Sequence, residues 1–301
     1  MTNSINDAPE LNAGGFGVER LSASKRRDRL PSVMIISCLF LLVVVLLAAA
    51  APAIAPHEIA GQSLLSRLRP PIFAGGASDH LLGTDHLGRD VFSRLLFATR
   101  TTLLIAGAGV LIGVITGTLT GLIAGTAGGW IDQCISVVID AQAAVPTTLI
   151  ALTAVSLVGT HPLTLVLIVG FSDYYRYARV VRGQVQALQG RSFIEAARCS
   201  GASPWRIAIR HVLPNTFSPI IVLASLSFAE MVVLESSLSF LGVGVQPPNV
   251  SLGSLLGEAR NYLISSAWLA IIPCVVIVMI TVAASIIGDW LRDALDPQSR
   301  T

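Results

Sequence analysis

Residues 192–215, SFIEAARCSGASPWRIAIRHVLPN, form a polar, arginine-rich island between two long apolar segments. Ser192 with Glu195 three residues on predicts a capping box, each side chain satisfying an N–H that a helix start leaves unpaired. Ala196, Ala197 and Arg198 continue the helix. Gly201 supplies the backbone freedom of a helix C-terminus. Ser203-Pro204 predicts a restart, with Ser as N-cap and Pro at the first helical position, where its missing N–H costs nothing. Pro214 is expected to end the second helix, because the residue before a proline avoids the α region. Two short helices joined at a glycine elbow result. A soluble helix-turn-helix has the same local grammar, but apolar spans too long for a soluble core helix flank both sides.

Composition agrees. The 301 residues are 53% apolar and 13% charged, with a mean hydropathy of +0.72, which predicts an all-α integral membrane protein. Lys25 is the only lysine and arginine follows it, so the chain has no phosphate-cradling Gly-Lys-Ser/Thr loop. The four cysteines show no zinc or disulfide spacing. Ser, His and Asp are scattered over different spans, which leaves nucleophilic catalysis without a constellation. The expectation is a protein that is not an enzyme, binds no cofactor or metal of its own, and has no nucleic-acid partner.

In chain order, residues 1–30 read as a disordered cytoplasmic tail ending in a basic block, Lys25 to Arg29. Residues 31–55 form the first apolar span; its length, beyond a signal-peptide core, favours an uncleaved membrane helix. Residues 56–100 are a polar extracytoplasmic loop, and 101–301 a core with five further spans and a polar loop at 183–215. The second span carries Gly109, Gly113, Gly117, Gly121 and Gly125, one every fourth residue, a stripe that lets a neighbouring helix approach closely. The third span, about 131–158, contains Pro146, expected to kink it. The fourth, from about Leu163, runs into Asp173-Tyr174-Tyr175-Arg176, where tyrosines beside arginines mark the membrane boundary and Asp173 is placed to pair with Arg176. The fifth and sixth cover about 217–241 and 268–291. With the N-terminus inside, the inner side holds fourteen Lys/Arg and the outer side six, which supports N-in/C-in.

Three separated motifs resemble one family. Glu195-Ala196-Ala197, then Gly201 and Leu213-Pro214, are similar to the EAA loop of ABC importer permeases. Leu82-Gly83-Thr84-Asp85 through Gly88-Arg89-Asp90 to Ser93-Arg94 is similar to a signature of the dipeptide/oligopeptide/nickel type, and so is the segment from Glu235 to Pro248, with Ser236 in place of alanine. The resemblance implies a type I importer permease of six membrane helices. The chain would lie in a bacterial inner membrane, and its partners would be a homologous second permease, two cytoplasmic ATPase subunits that bind ATP and Mg²⁺, and an extracytoplasmic solute-binding protein. It also implies that Glu195, Ala196, Ala197, Gly201, Leu213 and Pro214 shape a coupling surface.

Two further features concern chemistry. Asp79, His80, Asp85, His86 and Asp90 are metal-ligand types, but their spacing matches no standard pattern, and solvated loop charges are the expectation. Glu230 and Glu235 lie inside the fifth span, where a carboxylate costs about 2.5–3.5 kcal/mol and is expected to face a partner or a wet pathway; both are candidates for the translocation route. The alternative class is a secondary transporter or channel working without ATP, which would show embedded charges or broken helices in both halves.

Overall fold

A computed structural model describes residues 30–76 and 78–295; the basic tail and the Asp296-Pro297 end lie outside them. The described residues are helical apart from loops, turns and one isolated bridge, Thr84 with Asp90. Eleven α-helical segments follow in order: α1 Leu30–Ala49, α2 Ala51–Ile54, α3 Val91–Ala127, α4 Gly129–Ala143, α5 Thr147–Val158, α6 Pro162–Gln189, α7 Ser192–Cys199, α8 Pro204–Ile207, α9 Leu213–Phe240, α10 Leu252–Ala259 and α11 Trp268–Leu295.

The bundle is organised by α3 and α6, which run in the same direction. Val169 and Gly170 lie against Gly109, Tyr177 and Ala178 against Gly117, and Val185 against Gly125. All five glycines of the stripe face α6: a Cβ at Gly117 would overlap the Tyr174 carbonyl and the Tyr177 Cβ, and one at Gly121 would lie 2.6 Å from Ala178 O. Gly170 answers from the other side, where a Cβ would meet Gly109 O at 2.9 Å. Backbone-to-backbone approach of this kind is how helices gain contact where lipid removes the hydrophobic incentive to associate.

Four helical stretches among the described residues are long and apolar enough to cross a membrane, or five if α4 and α5 together make one span. The six spans expected from the sequence are not reached on that measure. α6 has 28 residues, ample at 1.5 Å each, but four charges, Asp173, Arg176, Arg179 and Arg182, interrupt its middle and second half. The third span is no straight helix either: α4 and α5 meet at 92°, with Pro146 as the N-cap of α5.

Two boundaries move. The loop expected to end at Arg100 ends at Asp90, whose carboxylate accepts from Ser93 N–H and caps α3. α3 therefore starts ten residues before 101 and includes Arg94 and Arg100. Pro214 does not end a helix. The chain is helical from Pro204 to Phe240, because a π turn at Ala208–Val212 precedes the proline; a wider turn of this kind relieves the ring's clash with the preceding carbonyls. Leu213 thus opens α9, with Pro214 in its first turn.

Candidate functional site

Three places gather the polar groups. The first is the loop between α6 and α9. Its elbow is a complete Schellman motif: Ala202 N–H donates to Ala197 O at 3.1 Å and Gly201 N–H to Arg198 O at 2.9 Å. Gly201 has φ +80° and nothing within 4 Å of a built Cβ, so glycine is needed there for backbone conformation and not for room. Ser203 caps α8, accepting from Arg206 N–H. The expected capping box at Ser192 does not form. Helix α7 already includes Ser192, its N-cap is Arg191, and no side chain caps it. Glu195 therefore stands exposed beside exposed Ala196, with Ala197 half-buried. The loop's apolar residues divide: Ile194, Ile207 and Val212 are buried with Val181, Val185 and Leu122, whereas Trp205 and Ile209 face outward. Leu213 packs against that buried cluster and Pro214 is exposed.

The second place is a cavity of about 420 Å³ between α5, α6, α9 and α11. Hydroxyls from Thr147, Thr148, Ser237, Thr281 and Ser285 line it, with Asp173, Arg176 and Glu230 as its charges. Arg176 Nε lies 2.9 Å from Asp173 Oδ1, the intrahelical pair expected from the sequence. The same guanidinium pairs across to Glu230 on α9, which the sequence reading did not foresee. Ser227 adds a hydrogen bond to Asp173 at 2.8 Å. Below this triad two more arginines of α6 reach α4, Arg179 to Asp140 at 2.9 Å and Arg182 to Asp132.

Glu235, the other pathway candidate, is enclosed and does not line the cavity. Its side chain takes donors on both oxygens, Thr102 Oγ1 at 2.8 Å and Ser239 Oγ at 2.6 Å. Those hydroxyls in turn accept from Leu252 N–H at 3.1 Å and Val245 N–H at 3.0 Å. One carboxylate thus ties α9 to α3 and to the chain leading into α10. Five residues separate it from Glu230, a turn of about 140° around the helix, and the two point into different surroundings.

The third place is the end of the bundle where α3 begins. Arg94 is buried and forks onto Glu258 of α10 at 2.8 and 2.9 Å, while also contacting Asp85. Arg89 bridges the same two carboxylates at 2.6 and 2.7 Å. Gly88, at φ +76°, turns the chain so tightly that a Cβ would overlap the Ser63 carbonyl. Asp85 and Asp90, expected as solvated loop charges, are buried, as is Arg94. Burial alone pushes the Asp85 carboxyl up, but the Arg89 N–H and the Arg94 and Arg89 guanidiniums outweigh it and hold it below its ordinary 3.8. Glu258, likewise raised by burial, is held below 4.5 by its fork with Arg94 and the nearby Arg89 charge. His57, His80 and Asp90 offer ligand atoms within 4.8 Å of one another. Asp90, however, already caps α3 and sits 2.9 Å from His80 Nδ1. Asp79 is exposed, and His86 stacks on Tyr262. The cluster reads as a structural clamp.

A helical bundle in which a polar, arginine-rich elbow joins two of the cavity-lining helices suits a transport permease. The chain belongs to the family of binding-protein-dependent transport system inner membrane components, which it matches over residues 117–301. It is a non-catalytic permease subunit of an ABC transporter, placed in the inner membrane. It is 37% identical to the glutathione transport system permease protein GsiD of Pectobacterium atrosepticum over 276 residues, 92% of this chain and 90% of that protein. It is also 37% identical to the di/tripeptide transport system permease protein DppC of Pseudomonas aeruginosa, covering 86% of each. Among solved structures, an inward-facing form of the MetNI methionine ABC transporter has a similar fold, with a TM-score of 0.55 at 16% identity over 67% of this chain and 96% of that one. Membership settles the class where the embedded charges and the bent α4–α5 pair, taken alone, would also suit an ATP-independent carrier.

Proposed function

We propose that this chain is the translocating subunit of an ATP-driven importer for di- or tripeptides or glutathione-like solutes, and that its α6–α9 loop transmits ATPase motion to the cavity. In this reading α6 is the additional crossing and the bent α4–α5 pair another, which makes six with the N- and C-termini inside. A homologous second permease completes the pathway. Two cytoplasmic ATPases, holding ATP and Mg²⁺, grip the loop, and an extracytoplasmic binding protein delivers the solute. The substrate class follows the peptide and glutathione relatives.

One observation carries the mechanism: the helices entering and leaving the loop are the helices that line the cavity. Arg176 lies thirteen residues before the end of α6, and Glu230 seventeen after the start of α9. At 1.5 Å per residue those are levers of roughly 20 and 25 Å. A force on the exposed Trp205 and Ile209 surface would pass along the helical stretch from Pro204 to Phe240, and one on Glu195 would reach α6 across the Gly190–Arg191 turn through the buried seam. The buried Ile194–Ile207–Val212 seam makes elbow and lever one body. Outward- and inward-open states would then be two arrangements of this unit, selected by closure of the ATPases.

The test is dialanine uptake into proteoliposomes. Uptake should need the partner permease, both ATPases, internal ATP and binding protein, and this chain alone should neither bind nor hydrolyse ATP. Gradient-driven uptake by this chain alone would replace the importer with an ATP-independent carrier.

A further inference from the structure

On the import-permease reading above, we infer that Glu230 receives the cationic group of the transported solute, a primary ammonium, and that Arg176 and Asp173 are positioning residues that hold it ready. The charges of the cavity do not balance. Asp173 and Arg176, three apart on α6, already form a closed neutral pair, with Asp173 almost wholly buried. Glu230 arrives from α9 as a second carboxylate on the same guanidinium, and among the described residues the cavity lining supplies no further cation. Two carboxylates and one guanidinium leave a net charge of −1.

A helix tie would not require that charge, since a glutamine at 230 could accept the same hydrogen bond from Arg176. Within the apolar layer an excess carboxylate is costly, and such residues as a rule mark a solute or ion route. The exposure of the triad follows the same division. The Glu230 side chain is 56% exposed and that of Asp173 5%, so the uncompensated charge is the one that meets the cavity. Around it stand hydroxyls, which accept the remaining N–H donors of an ammonium without competing for its charge. The ammonium would displace part of the Arg176 contact, and Asp173 would keep the freed guanidinium from swinging into the solute's path.

The prediction concerns electrostatics and can be read without knowing the solute. Ser237 lies two turns beyond Glu230 on the same face of α9 and lines the same cavity, about 10 Å along the axis. In the full reconstituted complex, with Cys38, Cys134, Cys199 and Cys274 replaced by serine, Ser237→Cys is treated with a trimethylammonium and a sulfonate methanethiosulfonate. Relative to a free thiol in solution, the cationic reagent should be favoured about tenfold, the size expected for one charge at that distance in a partly wet cavity. Glu230→Gln should bring the ratio back to the free-thiol value, and Glu230→Asp should retain most of the preference. A ratio unmoved by Glu230→Gln, or lost equally in Glu230→Asp, overturns the assignment, since either result means that shape and not charge is at work. Dialanine and N-acetyl-dialanine uptake are measured on the same vesicles. Loss of the free-amine preference in Glu230→Gln supports the assignment. Intact reagent selectivity in a complex that moves neither peptide upholds the cation site and rejects the peptide reading.

Discussion

Glu230 and Glu235 are the same side chain on the same helix, about 1.4 turns apart, and their surroundings separate them completely. Glu235 has donors on both oxygens from hydroxyls that are themselves engaged by backbone N–H groups. Glu230 has an arginine shared with a rival carboxylate and an open cavity beside it. A buried carboxylate fully supplied with donors holds a structure together; one left in excess on a wet wall is available to a ligand. The same contrast runs along the molecule. The end where α3 begins is clamped by buried ion pairs, and the loop end presents an exposed surface on a rigid elbow.

The largest effect is expected at Glu235. Glu235→Ala strands the Thr102 and Ser239 hydroxyls and leaves a void among α3, α9 and α10, a change of about 2–4 kcal/mol. Loss of the folded subunit from membranes, measured as abundance and thermal unfolding in nanodiscs, should follow. Glu230→Ala, exposed to the cavity, should leave abundance within about twofold. Equal losses at both positions would erase the distinction between latch and cavity wall.

Second comes Gly117→Leu. The α3–α6 approach leaves no room for a Cβ, and the obstacle includes the Tyr174 carbonyl, which is backbone and does not yield as a flexible side chain would. Overpacking of about 1–3 kcal/mol or more is expected, with reduced assembly on native gels. An unaltered complex would show that α3 and α6 are not in contact as described.

The clamp gives a smaller, pH-dependent effect. Asp85 and Glu258 have folded-state values below their ordinary 3.8 and 4.5. Their stabilisation is therefore complete above those values and is lost as pH falls through the depressed folded ones. Melting temperature should be flat in this respect from pH 7 to about 5 and fall below about pH 4. Arg94→Met should lower it at pH 7 and flatten the acid limb. An acid limb unchanged in Arg94→Met would mean that other carboxylates govern it.

These regions differ in how far the sequence discloses them. The loop was legible because its signals are local: Gly201 as elbow and Ser203-Pro204 as restart each depend on a neighbour or two. Two local signals misled. Ser192 and Glu195 have the spacing of a capping box, but the helix begins at Ser192 itself, and Pro214 is absorbed by a π turn. The stripe on α3 was legible through its period, although not its partner. What depends on distant residues was hidden. Arg94 looks like a loop charge until Glu258, 164 positions away, is seen to bury it. Glu230 and Arg176 meet across 54 positions, and nothing near Pro146 states an angle of 92°. Of the four charges on α6, the Asp173–Arg176 pair was legible from its spacing, whereas the partners on α4 and α9, Asp140, Asp132 and Glu230, were not.

The smallest effect on stability and the sharpest on function should be at Gly201. An L-residue held at φ +80° costs about 1–2 kcal/mol, and no atom stands within 4 Å to add a clash. Gly201→Ala should therefore insert and accumulate almost normally, and Gly201→Asp nearly as well, since its carboxylate points to open space. Relief of the strain requires φ to become negative, which breaks the Ala202-to-Ala197 and Gly201-to-Arg198 bonds and rotates α8 relative to α7. The exposed Trp205 and Ile209 then no longer stand at a fixed angle to Glu195, while the Glu235 latch and the ion clamp are untouched. Uptake and solute-stimulated ATPase activity should fall together in the order wild type, Gly201→Ala, Gly201→Asp, with the ATPase still co-purifying with the alanine variant. Normal uptake in both variants would remove the elbow from the transmission path. Lost abundance in the alanine variant would make Gly201 a folding residue like Glu235 and bring the two ends of the molecule under one description.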